Sequence, residues 1–182
     1  IGSIAAVAIK HRLPMVVLPG GTRCHFARDI GLDPKKINDA LSAFYGVKRK
    51  IDVGQINGRI FMNNVSFGVY ADIVSHPEYR DNKLAVTRKV LQDIMAGAKK
   101  PYSLKLKRVG LEINEVVMIL IGVNRYNTIN LTEIGQRSKM DQGILQINLI
   151  SKLNDQLVQK LLQRASLAQL AKNTDLNGFS QW

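Results

Sequence analysis

Cysteine occurs once, at Cys24, so the chain can form no internal disulfide, and a reducing compartment fits it best. One thiol and three histidines argue against an all-protein zinc site, which needs several N or S ligands close together. Long apolar runs are also missing. The longest, residues 116–123, is eight residues counting Gly122, where a bilayer-spanning helix needs about 20. No Ser/His/Asp array and no metal-spaced histidine cluster emerges, and His11 and His76 stand alone. Internal repeats and low-complexity segments are absent. There is no initiator methionine, and the opening lacks the basic region and cleavage site of a secretory signal. Ile1-Gly2-Ser3 instead reads as a helix already under way, with Ser3 as N-cap. The close on Phe179-Ser180-Gln181-Trp182 has no polar tail. A piece of a longer protein is therefore expected.

Acidic residues are few, and that shortage is the strongest signal in the composition. Lys and Arg number 26 against 14 Asp and Glu, giving a net charge of +12. Such a chain is drawn to anionic surfaces: nucleic acid, phosphate-bearing ligands or acidic lipid. Residues 80–108 hold nine basic side chains against Asp81 and Asp93, more than half of the excess. The aromatic residues do not interleave with these clusters as stacking platforms would, which counts against single-stranded nucleic acid. Hydrophobic residues at 46% and charged residues at 22% describe an ordinary globular chain.

The first 47 residues mix short apolar runs with helical patterns. Residues 15–18 suit a buried strand, ending at the loop signal Pro19-Gly20-Gly21-Thr22. A short helix from His25 stops at Gly31. Asp33 then caps a second helix, with Ile37, Ala40, Leu41 and Phe44 at helical spacing and Gly46 as its end. From residue 48 the period becomes two. Residues 51–56 and 59–65 flank Asn57-Gly58, the strongest short hairpin signal. After Ser66-Phe67-Gly68 the chain passes through Asp72 into a polar stretch. A helix is expected over 82–98, an edge strand over 104–107, a central strand over 116–123, a strand over 144–150 and a helix from about 155 to 172. The fold class is α+β: a partial α/β segment followed by a β-rich, sandwich-like domain with flanking helices.

Several residues can carry chemistry, each with a plainer alternative. Gly20-Gly21-Thr22-Arg23 between a strand and a helix offers backbone N–H groups, a hydroxyl and a guanidinium to a phosphate, or is simply a turn. Arg80 and Lys83, three apart, can face one phosphate, or mark a solvated helix start. Asp141-Gln142-Gly143 is a turn by default, and one carboxylate is a thin basis for a cation site. Cys24 beside His25 is a nucleophile candidate or a small buried thiol.

The order of these features resembles one family. The segment from Pro19 through Gly21-Thr22-Arg23-Cys24-His25-Phe26-Ala27-Arg28-Asp29 resembles the Gly-Thr-x-Asn-Asp-Phe-Ala-Arg segment of the diacylglycerol kinase catalytic domain family, which includes sphingosine kinases and bacterial lipid kinases. Asp52-Val53-Gly54 with Asn57-Gly58-Arg59, Phe61-x-Asn63-Asn64-x-Ser66-Phe67-Gly68, Tyr79-Arg80-Asp81-x-Lys83, Asn124-x-Tyr126 and Asp141-Gln142-Gly143 continue the series, to about residue 150. The resemblance implies residues 1–47 as the tail of an α/β nucleotide-binding domain and 48–182 as most of a β-rich lipid-binding domain. It implies ATP and Mg²⁺ as cofactors and phosphoryl transfer to a diacylglycerol-like or sphingoid hydroxyl. Gly21, Thr22, Arg23, Arg80 and Lys83 would then hold the nucleotide. Asp72 and Ser66 would lie toward the lipid, and Asp141 at a metal. The implied partners are the lipid substrate and an anionic membrane surface, not nucleic acid, with a homodimer left open. The implied place is cytoplasmic, peripheral at the inner membrane face. Cys24 stands where the family usually has Asn, and Gln142 where it has Asp. The family's Gly-Gly-Asp-Gly segment and its catalytic carboxylate are not found in the sequence, so the 182 residues alone are expected to be inactive. Two rival readings are a basic nucleic-acid-binding module and a lipid-binding family member without turnover.

Overall fold

In the computed structural model, an apolar cluster gathers three stretches of chain that lie far apart in sequence. Buried Ala5, Phe26 and Met62 meet Met15, Val17, Ile51, Ile60 and Met140. The structure describes residues 1–20, 24–98, 100–126, 136–151, 154–156, 158–159, 161–163 and 166. The architecture is α+β, as expected from the sequence. By packing, the chain forms two units: Ile1–Val65 with Ile121–Ile147, and Ser66–Leu120 with Asn148–Trp182. The expected boundary at 47/48 concerns role, which these packing units do not address, and it is taken up below as a proposal.

The first unit opens with helix α1 (Gly2–Lys10). Its N-cap is Ile1 with no side-chain bond, so Ser3 lies inside the helix rather than capping it. Gly2 lets α1 approach the sheet closely, since a Cβ there would stand 2.6 Å from the Ile60 carbonyl oxygen. Residues 15–18 are not a strand. Met15 and Val17 satisfy their apolar character by packing into the cluster instead. Helix α2 (His25–Asp29) buries Phe26 and Ala27 and ends at Gly31, whose φ of +88° suits glycine. Asp33 forms an Asx turn, its Oδ1 accepting from the Lys35 N–H at 2.9 Å. Helix α3 (Ile37–Leu41) begins later than expected and runs into a 3₁₀ turn, Ser42–Tyr45. Strands β1 (Gly54–Ile56) and β2 (Arg59–Phe61) form the anticipated hairpin, with Asn57 and Gly58 both at positive φ as a two-residue turn requires. Gly54 faces Phe61, whose ring occupies the space a Cβ would need.

A three-stranded sheet has the order β3 (Asn64–Gly68), β6 (Met118–Val123), β7 (Leu145–Ile150). The central position of β6 agrees with its apolar run. That run is divided, however. Residue 116 closes a strand of a separate sheet, and Glu115 takes a left-handed φ of 60° beside the division.

The second unit contains helix α4 (Val69–Ser75), over residues that the sequence assigned to no element on the way into a polar stretch. Gly68 caps it with φ 78° and ψ −147° and no side-chain bond, so the usual capping signal is missing from the sequence. A 3₁₀ turn, Pro77–Arg80, leads to the expected helix, α5 (Lys83–Met95), capped by Asn82, whose Oδ1 accepts from the Ala85 N–H. Val69 and Ile73 of α4 meet Val86, Val90 and Leu91 of α5, and Val158, Leu161 and Leu162 pack on the same cluster. The described residues among 155–166 are helical, as the pattern from 155 indicated. The other residues of the expected span, to about 172, lie outside the described residues. Strands β4 (Tyr102–Leu106) and β5 (Leu111–Val116) pair antiparallel, Lys105 opposite Glu112 with their charges 2.9 Å apart. No helix among the described residues is long and apolar enough to cross a membrane.

Candidate functional site

The residues of the expected phosphate loop, Gly21, Thr22 and Arg23, lie outside the described residues. What the structure shows beside that loop is its neighbour on the chain. Cys24 caps α2 in a left-handed conformation, φ 45°, and its Sγ donates to the Pro19 carbonyl at 3.1 Å. That contact fits the plainer reading of Cys24 as a structural thiol.

Among the described residues, the densest polar constellation centres on Arg137, which no sequence motif singled out. Its side chain and that of Asp29 are 0% and 1% exposed. Nε and Nη2 each lie 2.8 Å from Asp29 Oδ2, and the Arg137 backbone N–H donates to Asp29 Oδ1 at 3.0 Å. Nη1 donates to the Met62 and Val123 carbonyls at 2.7 and 3.1 Å, and Nη2 to Asn63 Oδ1 at 2.8 Å. Nε, Nη1 and Nη2 thus all donate, in four hydrogen bonds, and Nη2 is also in ion-pair contact with Asp29. The cation also lies over the rings of Phe26 and Tyr126, 5.9 and 5.2 Å from their centroids.

Asn124 and Tyr126 continue from β6 beside this node. Asn124 is fully buried at φ 64°, and its Oδ1 accepts from the Gln142 N–H at 3.1 Å. Its Nδ2 meets no partner among the described residues. Tyr126 stacks on Gly122, where a Cβ would fall 2.5 Å from its ring. The phenol comes close to the Asn64 side chain, yet its hydroxyl makes no hydrogen bond of good geometry among the described residues. Burial raises the Tyr126 pKa above the usual 10.0, against the opposing pull of the Arg137 charge. The folded chain therefore holds this proton after the unfolded chain has released it. The resulting stability is complete below pH 10 and falls as pH climbs through the folded value. Tyr126→Phe is expected to flatten that alkaline decline while leaving stability at pH 7 little changed. Urea unfolding at pH 7 and pH 11 checks both halves.

The turn at Asp141-Gln142-Gly143 is closed by protein groups. Gly143 N–H donates to Asp52 Oδ2 at 2.6 Å, and Arg125 N–H to Gln142 Oε1 at 3.3 Å. Asp52 N–H reaches the Met140 carbonyl at 2.7 Å. Asp141 itself is exposed, and among the described residues no three of His, Cys, Asp or Glu gather to hold an ion. Magnesium prefers an octahedron of oxygens. Among the described residues, the groups around Asp141 do not make such a set. Adding millimolar Mg²⁺ without nucleotide is expected to move the melting temperature by less than about 1 °C. Asn124→Ala, which frees the Gln142 N–H and puts alanine at a positive φ, should lower it clearly. Thermal melts with Mg²⁺ and with a chelator decide the matter.

Ser66, Asp72, Arg80 and Lys83 all belong to the second unit. Ser66 is half-buried in β3. Asp72, in the first turn of α4, has a buried Oδ2 and lines a small recess with Gly68, Ile94, Lys100 and Tyr102. The recess offers about 20 Å³, on the order of one water and too little for a lipid chain. Ser66, Arg80 and Lys83 are not among the residues lining it. Arg80 is exposed at the end of its 3₁₀ turn, and Lys83 is the first residue of α5.

Comparison with known proteins adds a direction. Over 151 residues the chain is 24% identical to a diacylglycerol kinase of Bacillus subtilis (strain 168). It is similar to a lipid kinase. The match covers 80% of this chain and 49% of that protein, so the chain spans about half the length of the curated relative it matches. No family model matches the chain, and no solved structure matches it. The similarity to a diacylglycerol kinase agrees in kind with the ordered motifs.

Proposed function

We propose that the chain is part of an ATP-dependent kinase that transfers the γ-phosphoryl group to the hydroxyl of a diacylglycerol-like or sphingoid lipid. Residues 1–47 would belong to its nucleotide-binding domain and 48–182 to its lipid-binding domain. The observation that carries the reading is the similarity to a diacylglycerol kinase along four-fifths of the chain. The unbroken order of motifs from Gly21-Thr22 to Asp141-Gln142-Gly143 supports it. Phosphoryl transfer asks a protein mainly for positioning and for positive charge around the triphosphate. Gly21, Thr22 and Arg23 would offer N–H and hydroxyl donors to the nucleotide, and Arg80 and Lys83 would neutralise its phosphates. Mg²⁺ would enter with ATP, whose phosphates supply its ligands. Asp72 and Ser66 would lie toward the lipid head group. The cations among residues 80–108 would draw the protein to the acidic inner face of the membrane, at about 1 kcal/mol per near-surface charge.

The test is label transfer from γ-labelled ATP to extracted lipids by the product of the whole gene. Label in the lipid fraction is expected. Arg80→Ala with Lys83→Ala should raise the KM for ATP at least about tenfold. ATP binding without transfer to any lipid would leave a lipid-binding relative that has lost turnover. Binding to duplex DNA with a steep salt dependence and no effect of ATP would favour the nucleic-acid reading.

A further inference from the structure

We propose that the turn of the β4–β5 hairpin, with Lys107, Arg108 and Leu111, is the element that docks the protein on an acidic lipid surface. The inference rests on the lipid kinase reading for why such a surface would be met, and on the hairpin alone for the place of contact. The whole hairpin belongs to the second unit. Its two strands form a sheet of their own and, among the described elements, lie mainly against each other. The register sets Leu104 opposite Ile113 and Leu106 opposite Leu111, so these four side chains share one face, while Lys105 and Glu112 share the other. Cover fades along that ribbon. Val116 at its base is buried, Leu104, Leu106 and Ile113 are half-buried, and Leu111 beside the turn is 46% exposed. An isolated two-stranded ribbon is marginal in water, so a surface that takes up Leu111 would help to hold it.

The charges at the turn say which surface. Lys107 and Arg108 stand exposed in the 3₁₀ turn that Gly110 closes at φ 63°. Neither has an ion pair among the described residues. Lys105, by contrast, meets Glu112 at 2.9 Å, and the other carboxylate of the hairpin, Glu115, lies toward the far end of β5. Two uncompensated cations therefore stand beside an exposed leucine. That combination suits the boundary of an acidic bilayer, where the leucine enters the acyl region and the basic heads stay with the lipid phosphates. Either signal alone holds a protein marginally, and the two together hold it. Duplex DNA would use the cations and leave the leucine in water. A second copy meeting this turn would bring like charge against like.

The experiment is co-sedimentation of the whole protein with vesicles of phosphatidylcholine alone, or of phosphatidylcholine and phosphatidylglycerol in equal parts. The wild type is expected to bind the acidic vesicles at least about tenfold more tightly than the neutral ones. Lys107→Ala with Arg108→Ala should lose about tenfold or more on acidic vesicles, at about fivefold per near-surface cation. Arg88→Ala with Lys89→Ala removes the same charge from exposed positions of α5 and should lose less than about threefold. Leu111→Ser should weaken binding severalfold, a loss that persists in high salt because it is not electrostatic. Wild-type affinity in Leu111→Ser or in the variant of Lys107 and Arg108 overturns the inference, and Leu111→Ser decides alone if the paired variant does not fold. Equal losses in the two paired variants would make net charge the cause and overturn it too. So would a wild type without preference for acidic vesicles, or one that binds duplex DNA through this turn more tightly than it binds them. Docking through the turn with no label moved to any lipid overturns the kinase reading and leaves this inference standing. Label transfer with docking untouched by these variants does the reverse.

Discussion

Replacing Arg137 alone by methionine is expected to cost about 3–5 kcal/mol of stability, because it leaves a buried carboxylate with no countercharge. Asp29 would keep its place at 1% exposure and lose both guanidinium contacts. The Met62 and Val123 carbonyls and Asn63 Oδ1 would lose their donors as well. For a chain of this size each kcal/mol is worth about 2–4 °C, so the melting temperature should fall by roughly 6–20 °C. Urea unfolding of the single variant against the wild type measures the loss directly. High salt should barely change it, since a buried pair is weakly screened. The exposed pair Lys105–Glu112, at 63% and 47% exposure, provides the contrast. Lys105→Ala should cost no more than about 1 kcal/mol. Equal costs for the two sites would contradict the account of Arg137 given above.

Gly68→Ala is the second large effect. The residue sits at φ 78° and ψ −147°, a region open essentially to glycine alone. A Cβ there would also strike the Val117 carbonyl, with the Val117 carbon at 2.9 Å and Met118 Cα at 3.3 Å. Backbone cannot swing aside as a long side chain can. The Val69 N–H that follows donates to that same Val117 oxygen at 3.1 Å, so relief would break the bond that starts α4. Strain and lost bond together should cost about 3 kcal/mol or more. Gly58→Ala is the control. Its φ is also positive, at 76°, but nothing stands within 4 Å of the added atom. It should cost about 1 kcal/mol, the conformational share alone. Thermal melts of the two variants separate strain from collision.

The elements legible in the sequence were those whose cause is local. Asn57-Gly58 fixes its own turn, Asn82 caps α5, and Gly31 stops α2, each through chemistry within a few residues. Residues 15–18 misled because a short apolar run looks the same whether a ladder or side-chain packing satisfies it. Helix α4 was hidden because glycine caps it without a side chain, and Val69, Tyr70 and Ile73 suit strands as well as helices. Division of the 116–123 run depends on Glu115 adopting a positive φ, which no residue type there announces. Of the candidate site, the resemblance supplied a list of residues, and the structure distributes the described ones over both packing units. Arg137 was unreadable for a different reason. Between Gln136 and Ser138 it looks like any surface arginine, and its partners are set by tertiary contacts alone.

The distance along the chain from Asp29 to Arg137, 108 positions, has a consequence during synthesis. At about 5–20 residues per second, a ribosome needs roughly 5–20 s to travel from one to the other. Throughout that interval the emerging Asp29 carboxylate, the Met62 carbonyl and Asn63 have no guanidinium to receive them. Water must serve in its place, so the first unit cannot reach its final dry arrangement until its last-made section has left the exit tunnel. A nascent chain stalled before residue 137 should therefore remain open to protease around α2, and one released after it should not.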